Sequence, residues 1–403
     1  MHKLKSLAAA LLISLAGSGH AGTVDSSAIQ NYLQRALGVI KRDGLFGDRV
    51  DWASVDAKAG QLAQTAKSYR DTYPLIRDAI TQMGERHTFL VEPGAWTAPR
   101  TDPWFGFAQD PEGRVFYVDP QSAAHRAGLR MGDLILYVIP VDDTRATVTW
   151  KHPDGSPSRS AELKGGTRPA WLPPQGEALP GSAARITLYP ILGATAGNEG
   201  MKAYATGTQR WIRQLQPAAS CGWIVDLRFN GGGTSFAMSM GIGPLLDPAA
   251  KMFFKGKTSR ETVTYRDGQE LRTDGTAPPR PFAGFRVDQP VKLAGELKPV
   301  AVLQGPMTAS SGEATLLLFK GRPKTRFFGA DTAGLTTGNV PVPLPDGATL
   351  VLTTSRMLDR AGGFYPVLSP DEVVTPNTDP STGRDLVLQR AQDWLGRQCA
   401  KGG

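Results

Sequence analysis

Cysteine and histidine are scarce in this chain of 403 residues, which contains two cysteines and five histidines. Neither Cys221 nor Cys399 has neighbours with the ligand spacing of a zinc site, so no metal and no cofactor is expected. In an oxidising compartment the two thiols would either form a disulfide between the last helix and the start of a strand or stay free. The sequence leaves both alternatives open.

Long apolar runs are also lacking. Residues 1–21 combine Lys3 and Lys5, the apolar stretch LAAALLISLAG and a small residue before Gly22, which is the pattern of a cleaved signal peptide. That stretch is shorter than the roughly 20 apolar residues of a membrane span, and no later segment approaches this length. We therefore expect an exported protein, periplasmic or secreted, without a membrane span.

No run of five like charges occurs, although the formal net charge is +8. A basic charge spread along the chain is typical of a solvated surface, so nucleic acid is not expected as a partner. The sequence contains no indication of an oligomeric state.

The N-terminal part, residues 22–98, is predicted to form a helical subdomain. The stretches SAIQNYLQRALGVIKRDG and TYPLIRDAITQMG repeat apolar residues at helical spacing and end at a glycine. We expect their apolar stripes to face inward.

Residues 99–166 instead predict short strands and turns. In SAAHRAGLRMGDLILYVIPVD, a small helix, Ala-Gly-Leu and Gly-Asp precede an apolar strand, and this order resembles a PDZ domain. The resemblance implies that the loop Phe105, Gly106 and Phe107 presents N–H groups to a peptide carboxylate while the peptide adds a strand to the sheet edge. An unrelated small β-domain is the alternative. The Pro/Gly-rich residues 167–184 are predicted to be a linker.

Strands alternate with helices in residues 185–398. Apolar stretches such as ARITLYPI, GWIVDLRF and KPVAVLQG are each followed by a helical segment, and TVTYRDGQELRT predicts a hairpin that turns at Asp267-Gly268. This pattern predicts an α/β domain whose chemistry lies in loops at the strand ends.

Ser310 stands between such a strand and such a helix, in the stretch PMTASSGEA. At a helix N-terminus, unpaired backbone N–H groups would stabilise an oxyanion formed on a substrate. Glu313 follows three residues later, so a capping box explains the same residues without any chemistry. Locally, capping is the simpler interpretation.

Three consecutive glycines in DLRFNGGGTSF, including Gly232, follow another apolar strand. Glycines let backbone N–H groups point into a cleft, as an anion site requires, although a flexible turn explains them equally. The standard phosphate-binding fingerprints are absent from this stretch.

A nucleophilic serine needs a base, and His87 in GERHTFLV is the candidate because it lies in a loop between a helix end and a strand. The remaining histidines lie in the signal peptide, in the PDZ-like helix and in a hairpin turn (His2, His20, His125 and His152). A lone histidine is more often structural than catalytic, so the residue pattern alone does not assign it.

Five segments occur here in a characteristic order behind the PDZ-like insert: IVDLRFNGGG, VLQGPMTASSGEA, FFGADTAGLTTG, LPDGATLVLTTSR and SPDEVV. Together they resemble the tail-specific, carboxy-terminal-processing serine peptidase family, over about residues 50 to 380. The resemblance implies a ClpP/crotonase-like α/β peptidase core. It also implies that Ser310 is the nucleophile and that Ser311 and Gly232 supply the oxyanion N–H groups.

Leu335 departs from the pattern of the processing proteases, because it stands where they have a general-base lysine. The stretch TAGLTTGN is similar instead to the tricorn-like branch, in which a histidine of the helical region is the base; His87 matches that position. The resemblance also suggests an acidic residue that reaches the histidine through a hydroxyl, and three residues are candidates: Asp359, Asp371 and Glu372.

The sequence thus predicts a serine peptidase that acts on peptides or unfolded proteins, with the PDZ-like domain recruiting or gating the substrate. A catalytically silent relative that binds a peptide or an apolar ligand is the alternative. An esterase is less well supported because no GxSxG motif surrounds Ser310.

Overall fold

A computed structural model describes residues 24–96, 103–376, 378–379 and 384–402. The predicted signal peptide lies outside these residues. No helix in the described ranges combines the length and the apolar character needed to cross a membrane.

Three helices form the N-terminal subdomain: α1 (Ser26–Asp43), α2 (Trp52–Thr65) and α3 (Tyr73–Gln82), followed by the short strand β1 (Phe89–Val91). The apolar stripe of α1 is buried, as its spacing predicts. It packs against Leu344, Leu350 and Leu352, which belong to a hairpin far along the chain. The subdomain is therefore fixed to the core rather than separate from it.

The inserted β-rich unit, residues 103–166, is called the PDZ-like domain below. Its elements are β2 (Phe107–Gln109), β3 (Val115–Val118), α4 (Ala123–Arg126), β4 (Leu134–Pro140), β5 (Arg145–Lys151) and β6 (Arg159–Lys164). Strands β2 and β3 form an antiparallel pair, and β4, β5 and β6 form an antiparallel sheet with β4 at its edge. The small helix and the apolar strand lie where the sequence predicts them.

The core, from residue 175 onward, contains two sheets. Its elements are β7 (Gln175–Leu179), β8 (Ala183–Thr187), α5 (Gly193–Leu215), β9 (Gly222–Asp226), α6 (Ser235–Ile242), β10 (Lys251–Lys255), β11 (Arg260–Arg266), β12 (Gln269–Thr273), β13 (Arg280–Pro281), β14 (Val300–Gln304), α7 (Ser311–Phe319), β15 (Thr325–Gly329), β16 (Thr337–Pro343), β17 (Thr349–Leu358), β18 (Glu372–Val373) and α8 (Leu386–Gly402).

One sheet is mostly parallel, with the order β18-β15-β14-β9-β8-β7, and only β7 runs antiparallel to its neighbour. Helices α5, α6 and α7 cover one face of this sheet and α8 covers the other, so its central strands are buried on both sides. The second sheet is antiparallel and contains β1, β10 to β13, β16 and β17. The α/β core that the sequence predicts is confirmed.

Part of the predicted linker belongs to the core. Strand β7 lies within residues 167–184 and pairs with β8 along its whole length. The proline and glycine content of this stretch predicts a linker. Residues between them instead form strand β7, because their backbone groups hydrogen-bond to the neighbouring strand β8.

A disulfide joins Cys221, directly before β9, to Cys399 in α8. The bond ties the helix that covers one face of the parallel sheet to the start of a central strand of that sheet. Their Cα atoms are 4.9 Å apart, so the backbones approach as a disulfide requires.

Candidate functional site

Ser310 lies in the connection between the buried strand β14 and helix α7, here called the serine turn (residues 305–311). Its backbone has φ 51° and ψ −113°, a left-handed conformation that is uncommon for a residue with a side chain. The serine stands at the N-cap of α7, and its side chain is half-buried. Strained backbone of this kind is often found where a side chain is held for a function.

Both contacts of a capping box are present at Ser310. The Glu313 carboxylate accepts a hydrogen bond from the Ser310 N–H at 2.8 Å, as the box requires. The Ser310 hydroxyl oxygen in turn faces the Glu313 N–H, which is the second contact of the box. Because this contact uses the hydroxyl oxygen as an acceptor, the hydroxyl proton stays available for transfer to a base.

Glu313 is fully buried and fixes the serine turn to a second loop. Besides the Ser310 N–H, its carboxylate accepts hydrogen bonds from Thr332 Oγ1 at 2.5 Å, Gly334 N–H at 3.0 Å and Leu335 N–H at 2.9 Å. Burial raises the pKa of this carboxyl, and the four donors oppose that rise. One side chain thus joins the nucleophile candidate to the loop in which Leu335 occupies the lysine position.

The glycine run packs directly against Ser310. A Cβ atom on Gly232 would lie 2.8 Å from the Ser310 Cβ, and Gly232 has φ +102°, so only glycine fits there. Its N–H donates to Asn230 Oδ1 at 3.0 Å, which differs from the expected free oxyanion donor. The N–H of Ser311, at the first position of α7, has no acceptor among the described residues. Of the two expected donors, Ser311 is therefore the one that is free.

His87 is buried, with 7% of its surface exposed, and lies in the loop between α3 and β1. The Glu85 carboxylate accepts hydrogen bonds from the His87 N–H at 2.6 Å and the Thr88 N–H at 2.7 Å. Burial lowers the pKa of the imidazole, and the negative charge of Glu85 partly opposes this. The ring is therefore neutral near pH 7, as a general base must be.

Two residues of β16 contact His87. Its Nδ1 is 2.8 Å from Thr337 Oγ1, and its main-chain oxygen accepts a hydrogen bond from Asn339 Nδ2 at 2.6 Å. No pattern in the sequence singled out either residue. Both follow Leu335 within four positions, but only the approach of β16 to the loop between α3 and β1 shows that they contact His87.

The segment 333–335 lies between the serine turn and the loop that holds His87, which connects α3 to β1. Arg86, next to His87, donates to Ala333 O at 3.2 Å, and the Ala333 N–H donates to Thr308 O at 2.9 Å. His87 and Ser310 thus flank the same short segment. No hydrogen bond joins them in the part of the chain that the structure describes.

The three acidic candidates do not reach His87. Asp359 accepts hydrogen bonds from Ala361 N–H, Gly363 N–H and Tyr365 OH, all at 2.8 to 2.9 Å. Asp371 accepts from the Phe327 N–H at 2.9 Å, and Glu372 pairs with Arg326 at 3.2 Å. Each carboxylate has local partners, and none of the three hydrogen-bonds to Thr337, the hydroxyl that contacts the His87 ring, so the expected link from an acid through a hydroxyl is not formed by these candidates.

A cleft of about 920 Å³ separates the PDZ-like domain from the core. Phe116 and Met131 line it from the PDZ-like side, whereas Phe229 and Met307 line it from the core. It reaches Gly305, Pro306 and Met307, the first residues of the serine turn. The cleft lies at the carboxyl ends of parallel strands, where α/β proteins commonly bind ligands.

The predicted peptide-binding loop lies elsewhere in the PDZ-like domain. Phe105 and Phe107 pack against the apolar core of that domain, and a Cβ atom on Gly106 would overlap with Ser122. None of these three residues lines the cleft. Within the described residues, no cluster of His, Cys, Asp or Glu side chains is arranged to hold a metal ion.

This fold, a mostly parallel sheet whose strand ends carry a serine turn and a glycine run, is that of the S41 peptidases. Residues 198–374 match the profile of Peptidase family S41. Residues 198–374 thus form a Peptidase family S41 domain, which agrees with the family that the sequence motifs resemble.

Known proteins resemble the chain over most of its length. It is 25% identical over 345 residues to the nisin-resistance protein of Lactococcus lactis subsp. lactis. The aligned residues make up 85% of this chain and 82% of the relative. Among solved structures, a lipoprotein from Streptococcus agalactiae aligns with a TM-score of 0.59 at 19% identity, over 96% of this chain and 100% of the other. A photosystem II D1 C-terminal processing protease aligns with a TM-score of 0.50 at 19% identity, over 91% and 97%. These structural likenesses concern the fold.

Proposed function

We propose that this protein is an exported serine peptidase in which Ser310 is the nucleophile and His87 the general base. The observation that carries the proposal is the serine turn. Its strained backbone presents the Ser310 hydroxyl, whose proton the capping box does not use, beside the free N–H of Ser311. A nucleophile and an oxyanion donor require this arrangement. The export of the chain rests on the signal-peptide pattern of residues 1–21.

In the proposed reaction, Ser310 Oγ attacks the carbonyl carbon of the scissile peptide bond while His87 Nε2 takes the hydroxyl proton. The Ser311 N–H stabilises the oxyanion, and the Gly232 N–H joins it on release from Asn230. Collapse of the tetrahedral intermediate expels the amine, which receives the proton from His87. Water then attacks the acyl-enzyme by the same steps and releases the acid.

The base must approach the nucleophile for this reaction. Hydrogen bonds between catalytic groups are often long before substrate binds and tighten in the complex. We propose that a polypeptide in the cleft between the PDZ-like domain and the core completes the site. Apolar and charged side chains line the cleft together with the strand ends that lead toward Ser310, while Ser310 and His87 themselves lie outside its lining. A mixed lining of this kind suits an extended peptide or an unfolded chain.

Cleavage of unfolded casein and of a peptide library, with nisin included because of the named relative, tests this function. We expect Ser310→Ala and His87→Ala each to reduce turnover by about 100-fold or more. Matched controls are Ser158→Ala and His125→Ala, which alter exposed residues of the PDZ-like domain and should leave turnover intact. Full turnover in Ser310→Ala would refute the proposal.

The pH profile provides a second test of His87. Because burial lowers its pKa, the neutral base persists below the ordinary histidine value of about 6.5. We expect the acid limb of kcat/KM to have its midpoint below this value, and to be absent from the residual rate of His87→Ala. A midpoint clearly above 7 would indicate a different base.

A silent peptide-binding relative is the second candidate, and the missing hydrogen bond between His87 and Ser310 favours it. Such a protein would bind peptides but would not react with a fluorophosphonate. Peptide binding without labelling, by a folded protein, would support the binder over the peptidase.

A further inference from the structure

Three positively charged side chains stand in one row across the antiparallel sheet. Lys255 of β10 lies directly opposite Arg260 of β11 on one side and Arg356 of β17 on the other. Because directly opposite residues of antiparallel strands point to the same face, the three side chains share one face of the sheet. All three are exposed. We call Arg260, Lys255 and Arg356 the cation row.

The cation row has no acidic counterpart on the protein. None of its members forms an ion pair with a carboxylate of the described residues. Like charges that stand directly opposite each other destabilise a pair of strands, so the row opposes the pairing of β10 with both of its neighbours. The packing of the sheet therefore does not explain why three cations stand together.

Aromatic rings hold the two arginines of the row. The guanidinium carbon of Arg260 lies 3.8 Å from the centre of the Phe253 ring. That of Arg356 lies 5.3 Å from the centre of the Phe364 ring and 5.6 Å from that of Phe46. A guanidinium stacked on a ring keeps its N–H edge free, and this edge matches the two oxygens of a carboxylate. The row thus presents prearranged donors to an anion.

The cation row leads to the histidine of the proposed site. On β16, Thr337 lies directly opposite Arg356, and Thr337 Oγ1 is 2.8 Å from His87 Nδ1. Neighbouring strands are about 4.8 Å apart, so the members of the row lie about one, two and three such spacings from Thr337. The largest of these distances, about 14 Å, corresponds to about four residues of extended chain. A peptide whose scissile bond lies at His87 can therefore reach the whole row.

We infer that the cation row binds acidic side chains of the peptide substrate, within about four residues of the bond that is cut. This inference rests on the proposed function and names its substrate class, which is peptides or unfolded chains with aspartate or glutamate near the cleavage site. The cleft does not offer the same chemistry, because its Arg228 is already bonded to the carboxylates of Asp226 and Asp385.

Paired peptides test this substrate class. Both members of a pair share one scissile segment that the protein cleaves, and they carry either three aspartates or three asparagines, placed before the segment in one pair and after it in the other. In one of the pairs, we expect kcat/KM to be about 10-fold higher for the aspartate peptide, mainly through a lower KM. Added salt should reduce this preference, because the contacts are exposed. Equal values in both pairs would overturn the inference.

Variants of the row measure its contribution. Lys255→Gln removes the central charge, so the aspartate preference should fall by about threefold, and the triple variant with Arg260→Gln and Arg356→Gln should abolish it. Lys251→Gln is the matched control, because Lys251 is exposed on the same strand but lies opposite Thr264 rather than a cation. This control should keep the full preference. A preference that survives in the triple variant would contradict the inference.

Binding can also be measured without turnover, in Ser310→Ala. A fluorescent aspartate peptide should bind this variant about 10-fold more tightly than its asparagine partner, and the difference should disappear when the triple variant is added. If the wild type cleaves no peptide but this difference holds, the proposed function fails and the row still binds acidic peptides. If peptides are cleaved without a charge preference, the function stands and the inference fails.

An anionic membrane surface is the other partner that such a row could meet, and vesicles test it. The wild type and the triple variant are mixed with vesicles of phosphatidylglycerol and of phosphatidylcholine, and sedimentation measures the bound protein. We expect no difference between the two proteins. Binding to phosphatidylglycerol that the triple variant loses, together with equal affinity for the paired peptides, would assign the row to a membrane surface and overturn the inference.

Discussion

The two elements that flank the serine turn, β14 and α7, bury their apolar residues, whereas strand β4 of the PDZ-like domain exposes most of its own. All nine residues of α7 are buried, and so is each residue of the strand β14 that precedes the turn. Strand β4 instead exposes most of its apolar side chains, with Tyr137 64% and Ile139 57% accessible. The core thus holds its chemistry on packed elements, whereas the PDZ-like domain leaves an apolar edge open.

Two features of β4 interrupt this open edge. Pro140 removes one N–H donor, and the register of β4 shifts between Ile135 and Tyr137, which indicates a bulge. Both features are known to limit pairing between the edges of two sheets. Because the two regions differ in this way, we expect substitutions in the core to lower both stability and peptide turnover. Substitutions on β4 should lower neither.

Gly232→Ala should have the largest effect. The added methyl group would overlap with the Ser310 Cβ and Ala309 O, and alanine would be strained at φ +102°. We expect peptide turnover to fall by at least about 100-fold, since small displacements of a nucleophile have such effects. Gly166→Ala is the control, because no atom lies within 4 Å of its added Cβ atom. Near-normal turnover in Gly232→Ala would show that the close packing is not needed.

Glu313→Ala should come next. It removes the acceptor of one buried and three partly buried donors, and an unsatisfied buried donor costs about 1–3 kcal/mol, so the free energy of unfolding should fall by about 3 kcal/mol. Glu162→Ala in the PDZ-like domain removes only a half-exposed ion pair with Arg145 and should change it by less than about 1 kcal/mol. Urea denaturation measures both. Equal losses of unfolding free energy in the two variants would show that the core and the PDZ-like domain do not differ in this way.

Removal of the disulfide should have an intermediate effect. Replacing Cys221 and Cys399 by serine frees the loop between β9 and α8, and we expect a loss of about 2–4 kcal/mol, measured as the urea midpoint. The pH dependence of turnover should stay the same because α8 packs on the parallel sheet, whereas His87 contacts β16 of the other sheet. A changed acid limb would show that α8 also positions the site.

The smallest effect is expected on β4. The double variant Tyr137→Thr with Ile139→Thr changes two exposed residues of the outer face and should alter stability by less than about 0.5 kcal/mol. Val148→Thr in β5 is the buried counterpart, and the cost of burying a hydroxyl should be about 1–3 kcal/mol. A large loss in the β4 variant would mean that another part of the protein covers this edge.

Local patterns predicted much of this fold because they depend on neighbours in the chain. The hairpin at Asp267-Gly268 forms as predicted, with both residues at positive φ, as a tight hairpin turn requires. The helix after Ser310 and the buried stripe of α1 depend equally on local spacing. The sequence does not predict strand β7, because its pairing with β8 rather than its composition makes it a strand.

The residues of the candidate site also differ in whether local sequence patterns predict them. Ser310, Gly232 and Ser311 lie in segments that are recognisable one by one, and the structure brings them together. The contact of His87 with Thr337 joins residues 250 positions apart, and no local rule predicts which hydroxyl the ring will meet. The acidic candidates failed for the same reason, because their local partners are visible only in the fold.

Peptide mapping of the protein after reaction with a fluorophosphonate tests the central claim most directly. The account predicts one phosphonyl adduct on Ser310, lost in Ser310→Ala and strongly slowed in His87→Ala. An adduct on Ser311 or another serine, or no adduct on a protein that cleaves peptides, would contradict it.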